Sequence, residues 1–114
     1  MEYARRMPKG YEIARIAVRD SKRLRAALPH NARLVALDER GRDYTTTQFA
    51  GLLGRETAFV IGGPDGLDDS TRAEAAILLR LSAMTLPHAL AQVVLLEQLY
   101  RASTLLAGHP YHRE

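Results

Sequence analysis

FVIGGPDG (residues 59–66) and LSAMTLPHAL (residues 81–90) are the two stretches whose reading decides the fold. The first completes TAFVI (residues 57–61), a continuous apolar run of the kind found in strands buried on both faces, and leads into a turn rich in glycine. Asp69 or Ser70 then caps a helix that the pattern carries through Arg80. Residues 81–86 read as a further strand. Pro87 suits the first turn of a last helix, which runs to about Ala107 with Gly108 beyond it.

The same alternation continues toward the N-terminus. YEIARIAV (residues 11–18) is partly alternating and reads as a strand, and Asp20 or Ser21 caps a short helix to about Leu28, stopped by Pro29. RLVAL (residues 33–37) is a short buried strand ended by the turn-forming Asp38-Glu39-Arg40-Gly41. The threonines at positions 45–47 offer caps for a brief helix through Leu53, with Gly54 at its end. Strands that alternate with helices imply an α/β domain, with a mainly parallel sheet flanked by helices. At 114 residues the chain suits one domain, residues 1–114, marginal enough to gain from a dimer interface.

Composition narrows the function classes. With no cysteine, a disulfide framework and a thiolate zinc site are excluded, and a reducing, cytoplasmic setting fits. No charged start followed by an apolar run opens the chain, so no signal peptide is expected. The most apolar stretch, residues 86–106, is interrupted by His88, Gln92, Glu97, Gln98 and Arg101 and would make a poor membrane span. The net charge is +3, and Arg5, Arg6, Lys9, Arg15, Arg19, Lys22, Arg23 and Arg25 crowd the first quarter. Such a patch would attract a phosphate backbone, although a solvated basic surface has the same composition.

Three places could carry chemistry. The turn after residues 57–61 brings backbone N–H groups close to a ligand or simply reverses the chain tightly. It lacks the Gly-Lys-Ser/Thr of a phosphate loop and the G-x-G-x-x-G of dinucleotide folds. Pro87-His88 stands where a strand gives way to a helix, so His88 is either an ordinary first-turn residue or a group presented at a carboxyl edge. In the last helix Glu97 and Arg101 have the i,i+4 spacing of a surface ion pair. The tail GHPYHRE (residues 108–114) adds His109, Tyr111, His112 and Arg113: titratable groups, a stacking ring and a phosphate fork. His109 and His112 stand three apart but have no evident third ligand, so no metal is expected.

IGGPDG, LSAMTLPH, EQLYRA and HPYHRE, in that order over residues 59–114, resemble the ribosomal RNA large subunit methyltransferase H family of the SPOUT class. Weaker similarity reaches back through LVALDERGR (residues 34–42) to EYARR (residues 2–6). The resemblance implies a C-terminal trefoil knot with the knot and cofactor region at about residues 57–114. It also implies a homodimer, S-adenosyl-L-methionine as methyl donor, and N3-methylation of a pseudouridine of large-subunit rRNA within the ribosome. By the same similarity the cofactor lies against Leu37, Gly62, Gly63, Leu81, Ser82, Ala83, Met84, Thr85 and Leu86. His112, Arg113 and Tyr111 become the catalytic candidates, while Glu97, Arg101 and His88 support the dimer or the RNA. Compared with that family, the first strand before Glu2 is absent, and the stretches between Val18 and Arg33 and between Leu53 and Phe59 are short. The contrasting reading is a non-catalytic dimeric module that keeps the knotted fold and binds RNA or the ribosome without turnover.

Overall fold

A computed structural model of the chain describes residues 24–62 and 66–108, the Arg25 side chain excepted. The centre of the sheet is β1 (Arg33–Asp43), hydrogen-bonded in parallel to β2 (Thr57–Ile61) on one side and to β3 (Ile77–Arg80) on the other. Leu34, Val35 and Ala36 are all buried, so both faces of β1 are covered, as its apolar run requires.

Each link between strands runs through a short helical piece. α1 (Leu24–Ala27) precedes β1 and ends before Pro29, as expected. α2 (Thr46–Ala50) begins with a capping box: Gln48 N–H donates to Thr45 Oγ1 at 3.1 Å, and Thr45 N–H donates to Gln48 Oε1 at 2.9 Å. A 3-10 turn, Gly51–Gly54, then leads toward β2. α3 (Asp69–Glu74) follows the glycine turn and is capped by Asp68, whose Oδ1 accepts from the Thr71 amide at 2.9 Å. α4 (His88–Leu106) is the longest element, starting after Pro87 and ending before Gly108. It packs with α2 on one face of the sheet, where Leu95, Leu96, Leu99 and Ala102 meet Phe49, Ala50, Leu52, Val35 and Leu79. The Phe49 and Phe59 rings lie 5.5 Å apart in this layer, within the range of a favourable tilted aromatic pair.

Two expected elements are corrected. The helix predicted through Arg80 ends at Glu74, and Ile77–Arg80 is a strand. The strand predicted over residues 81–86 is irregular chain that follows β3. A run such as Ala-Ala-Ile-Leu-Leu-Arg-Leu has the composition of either a helix or a buried strand, and periodicity alone does not separate them. Pairing with β1 decides for the strand, because Ile77 and Leu79 turn toward the layer filled by α2 and α4. The strand expected over residues 11–18 lies outside the described residues.

β1 also runs further than residues 33–37. Leu37 pairs with Leu79, the chain detours through residues 38–41, and Arg42 then returns to the same Leu79. Gly41 makes the return possible: a Cβ there would stand 2.7 Å from the backbone of Leu78 and Leu79. Gly41→Ala must therefore push β1 and β3 apart, and we expect a loss of about 1–3 kcal/mol in urea unfolding. Gly51 is its contrast, with φ −62°, ψ −20° and open space where a Cβ would go. Gly51→Ala should raise stability by about 0.4–1 kcal/mol through the unfolded chain, and a loss there would refute this account of the two glycines.

Candidate functional site

Because both pairings are parallel, the carboxyl ends of β1, β2 and β3 fall on one edge of the sheet, where open α/β sheets bind ligands. Leu37 is in register with Ile61 on one side and Leu79 on the other. The ladder thus brings together Leu37, Gly62 directly after β2, and Leu81 directly after β3, three positions far apart in sequence. Leu37 and Leu81 are half-buried and pack against the core, so their backbones stay fixed at the edge while one side of each faces outward.

The glycine turn is closed on itself. A Cβ on Gly62 would stand 2.6 Å from the Gly66 carbonyl carbon and 2.7 Å from the Leu67 nitrogen, so only glycine allows the two arms to approach this closely. The last helix grips the same turn, since His88 Nδ1 lies 2.5 Å from the Gly62 carbonyl oxygen. A carbonyl can only accept, so Nδ1 carries the proton in this bond. His88 therefore has a definite local role, tying the start of α4 to the end of β2. Gly63 lies outside the described residues.

Ser82, Ala83, Met84 and Thr85 leave β3 without ladder partners, and Leu86 is half-buried beneath them. Ser82 Oγ accepts from the Met84 amide at 3.0 Å, a local bond that bends the chain. Irregular backbone at a carboxyl edge offers N–H and C=O groups to a ligand in place of a neighbouring strand. Together with the apolar flanks of Leu37, Leu81 and Leu86, this donor set fits a purine ring and a sulfonium.

Two acidic groups beside this edge are held in place by arginines. Asp38, the first residue of the detour after Leu37, has a side chain only 4% exposed. Its carboxylate accepts from the Arg40 amide at 2.8 Å and from Arg72 Nε on α3. The Arg40 amide bond, with Arg72 beside it, outweighs burial and holds the carboxyl below its ordinary range. Asp43 and Arg80 form a two-bond fork, each bond 2.6 Å, between the extended end of β1 and the end of β3. Composition gave Asp38 only a turn role. The overlooked signal was a carboxylate placed directly after a buried strand.

On α4, Arg101 Nε donates to Glu97 Oε1 at 2.7 Å, and Gln98 Nε2 donates to Glu97 Oε2 at 2.9 Å. Thr46 Oγ1 donates to Gln98 Oε1 at 2.8 Å, so this polar chain anchors α2 to α4. Tyr44, Phe49, Leu79, Arg80, Leu81, Val94 and Gln98 line a hollow of about 100 Å³ nearby. That is well under the ~300–1,000 Å³ of small-molecule pockets, so it is not the ligand site by itself. Tyr111, His112 and Arg113 lie outside the described residues. Among those described, no cluster of three metal-ligating side chains occurs, and no helix is long and apolar enough to cross a membrane.

A family model described as predicted SPOUT methyltransferase matches residues 2–112. The chain is 48% identical to the ribosomal RNA large subunit methyltransferase H of Paraburkholderia xenovorans strain LB400, over 98% of this chain and 86% of the relative. The corresponding proteins of Paraburkholderia phymatum and Burkholderia thailandensis are 47% and 48% identical over the same shares. These matches span 134 positions against a chain of 114 residues, so the relatives carry residues that this chain lacks. With the match running along nearly its whole length, the chain belongs to the SPOUT methyltransferase family, among the ribosomal RNA large subunit methyltransferase H proteins.

Proposed function

We propose that the protein is a cytoplasmic, S-adenosylmethionine-dependent methyltransferase that acts as a homodimer on large-subunit rRNA in the ribosome, methylating N3 of a pseudouridine. The observation that carries the reading is the convergence of Leu37, Gly62 and the irregular segment after β3 on one carboxyl edge. Family membership and the names of the relatives supply the reaction and the RNA.

S-adenosylmethionine, when bound, supplies an electrophilic methyl group on a positively charged sulfur. The chain's own residues must hold that group and prepare the base. Leu37 and Gly62 form one wall of the proposed site, with Leu81, Ser82, Ala83, Met84, Thr85 and Leu86 forming the other; the family's pattern adds Gly63 to the cofactor contacts. The N3–H of a pseudouridine is a weak acid, so its proton has to leave before or as the N–C bond forms. His112, neutral at the working pH, takes that proton. Arg113 stabilises the negative charge that develops on the base or grips a phosphate, and Tyr111 stacks on the base.

Support for a homodimer comes from Met84, Leu90, Val93 and Leu106, large apolar side chains left exposed on α4 and the segment before it. Glu97 and Arg101 then serve from inside, bracing α4 through the bond to Gln98 and Thr46 while its other side meets the partner. The trefoil knot, with α4 threaded through a loop, belongs to the same proposal and rests on the family.

Calorimetric titration with S-adenosylmethionine, with light scattering in the same buffer, should give saturable binding to a dimer. A folded dimer that binds none would reject the enzyme and favour a non-catalytic RNA-binding module. His112→Ala and Arg113→Ala should each lower methyl transfer to ribosomes lacking the modification by about 10²–10⁴-fold and leave cofactor affinity unchanged. Equal turnover in either variant would remove that residue from the mechanism. His88→Ala should weaken cofactor binding about five- to tenfold, the scale of one hydrogen bond, by releasing the Gly62 carbonyl. An unchanged Kd would mean that this bond does not shape the site.

A further inference from the structure

Of the ties at the carboxyl edge, one joins the detour within β1 to the helix after the glycine turn. Asp38 follows Leu37 directly, and Arg72 lies on α3, which begins just beyond residues 62–66. Arg72 Nε donates to Asp38 Oδ2, while Arg72 Nη1 donates to Asp69 Oδ1 at 2.9 Å. The two acids are in very different surroundings: the Asp38 side chain is 4% exposed and that of Asp69 is 100% exposed. The buried bond therefore carries the structural consequence, and the outer one is screened by water.

We infer that Asp38 and Arg72 are positioning residues for the proposed cofactor site, holding α3, which follows the glycine turn, against the Leu37 end of the wall that Leu37 and Gly62 share. The inference rests on the cofactor reading above. Both carboxylate oxygens of Asp38 are engaged by the protein, Oδ1 by the Arg40 amide and Oδ2 by Arg72. This occupancy argues against Asp38 serving as a direct ligand for ribose hydroxyls. The orientation of α3 is set independently of the pair by its cap, Asp68 on the Thr71 amide. The ion pair thus decides how far the turn stands from β1 rather than whether the helix forms. Removing Arg72 leaves the Asp38 carboxylate on the Arg40 amide, and removing Asp38 leaves Arg72 on the exposed Asp69; in either case the tie between α3 and residues 38–41 is lost, so the two should move apart.

Isothermal titration of the 114-residue protein with S-adenosylmethionine, for Asp38→Asn, Arg72→Gln and the double variant, tests the inference. Each single variant should raise the Kd about tenfold, and the double variant should add little more, as expected of one coupled unit. Methyl transfer at saturating cofactor and the KM for ribosomes should stay within about twofold of the wild type. Asp69→Asn should bind as the wild type does. Arg72→Lys keeps the charge without the fork and should fall between wild type and Arg72→Gln.

Wild-type affinity in folded Asp38→Asn or Arg72→Gln would overturn the positioning role, even if melting temperature fell. Loss of binding in Asp38→Asn alone would overturn it in favour of direct contact with the cofactor. A folded wild type that bound no cofactor would instead bring down the reading beneath it. Should Asp38→Asn fail to fold, the two Arg72 variants on α3 decide the matter.

Acid unfolding gives an independent readout of how the Asp38 carboxylate is held, by the Arg40 amide first and by Arg72 with it. The folded carboxyl of Asp38 lies below its ordinary 3.8, so its stabilisation is complete above that pH and is lost as pH falls through the folded value. Asp38→Asn should flatten this acid limb, and Arg72→Gln should remove the smaller share that the arginine adds to the Arg40 amide; an unchanged limb in Asp38→Asn would mean that the carboxylate is not held this way in solution.

Discussion

Everything at the carboxyl edge depends on the double pairing of β1. One short apolar stretch satisfies its backbone groups by bonding to β2 and β3 at once, and burial on both faces leaves no alternative register that keeps Val35 and Leu37 in the layer beneath α4. A slip of one residue would turn the buried set to the wrong face. The ladder therefore fixes which residues stand at the strand ends, and every loop beyond it starts from a determined position. The Asp43–Arg80 fork and the Asp38–Arg72 pair then act on loops already brought close, which is why side chains with a few rotatable bonds are enough to hold them.

Much of this was legible from residue patterns. Thr57–Ile61 announced itself by its unbroken apolar run, and Pro87 marked the start of the last helix correctly. Thr45, one of the three threonines read as possible caps, does cap the helix, and Gln48 adds the reciprocal bond. The exchange of helix for strand at residues 75–86 has a physical origin. Ala, Leu and Arg favour helices locally, and only the distant partner β1 reverses that preference for Ile77–Arg80. Asp69 or Ser70 was the expected cap, and Asp68, just before them, is the one that serves; all three side chains can accept from helix amides, and only the path of the chain out of the turn separates them.

The candidate site was legible to a different degree. Local motifs marked Gly62 and the segment after β3, but their proximity is a property of the sheet and of no motif alone. His88 was expected to support a dimer or the RNA; its bond to Gly62 is a tie that spans 26 positions and leaves no trace in spacing. The same is true of Asp38 and Arg72, whose separation of 34 positions gives no periodic signal. Glu97 and Arg101 showed the opposite behaviour. Their i,i+4 spacing stated the pair outright, while the link onward through Gln98 to Thr46 needed the packed helices.

The strand order also has a consequence for how the chain comes off the ribosome. The central strand is made first among the three and stays unpaired until both outer strands follow it. Val35 waits for Phe59 and then for Ile77, a delay on the order of seconds at ~5–20 residues per second. Through that interval an apolar, strand-forming segment has open edges on both sides, the condition in which nascent chains associate wrongly. Sheet assembly in this protein is governed by its later half, so premature termination anywhere before β3 would release a species with its most aggregation-prone strand incompletely covered.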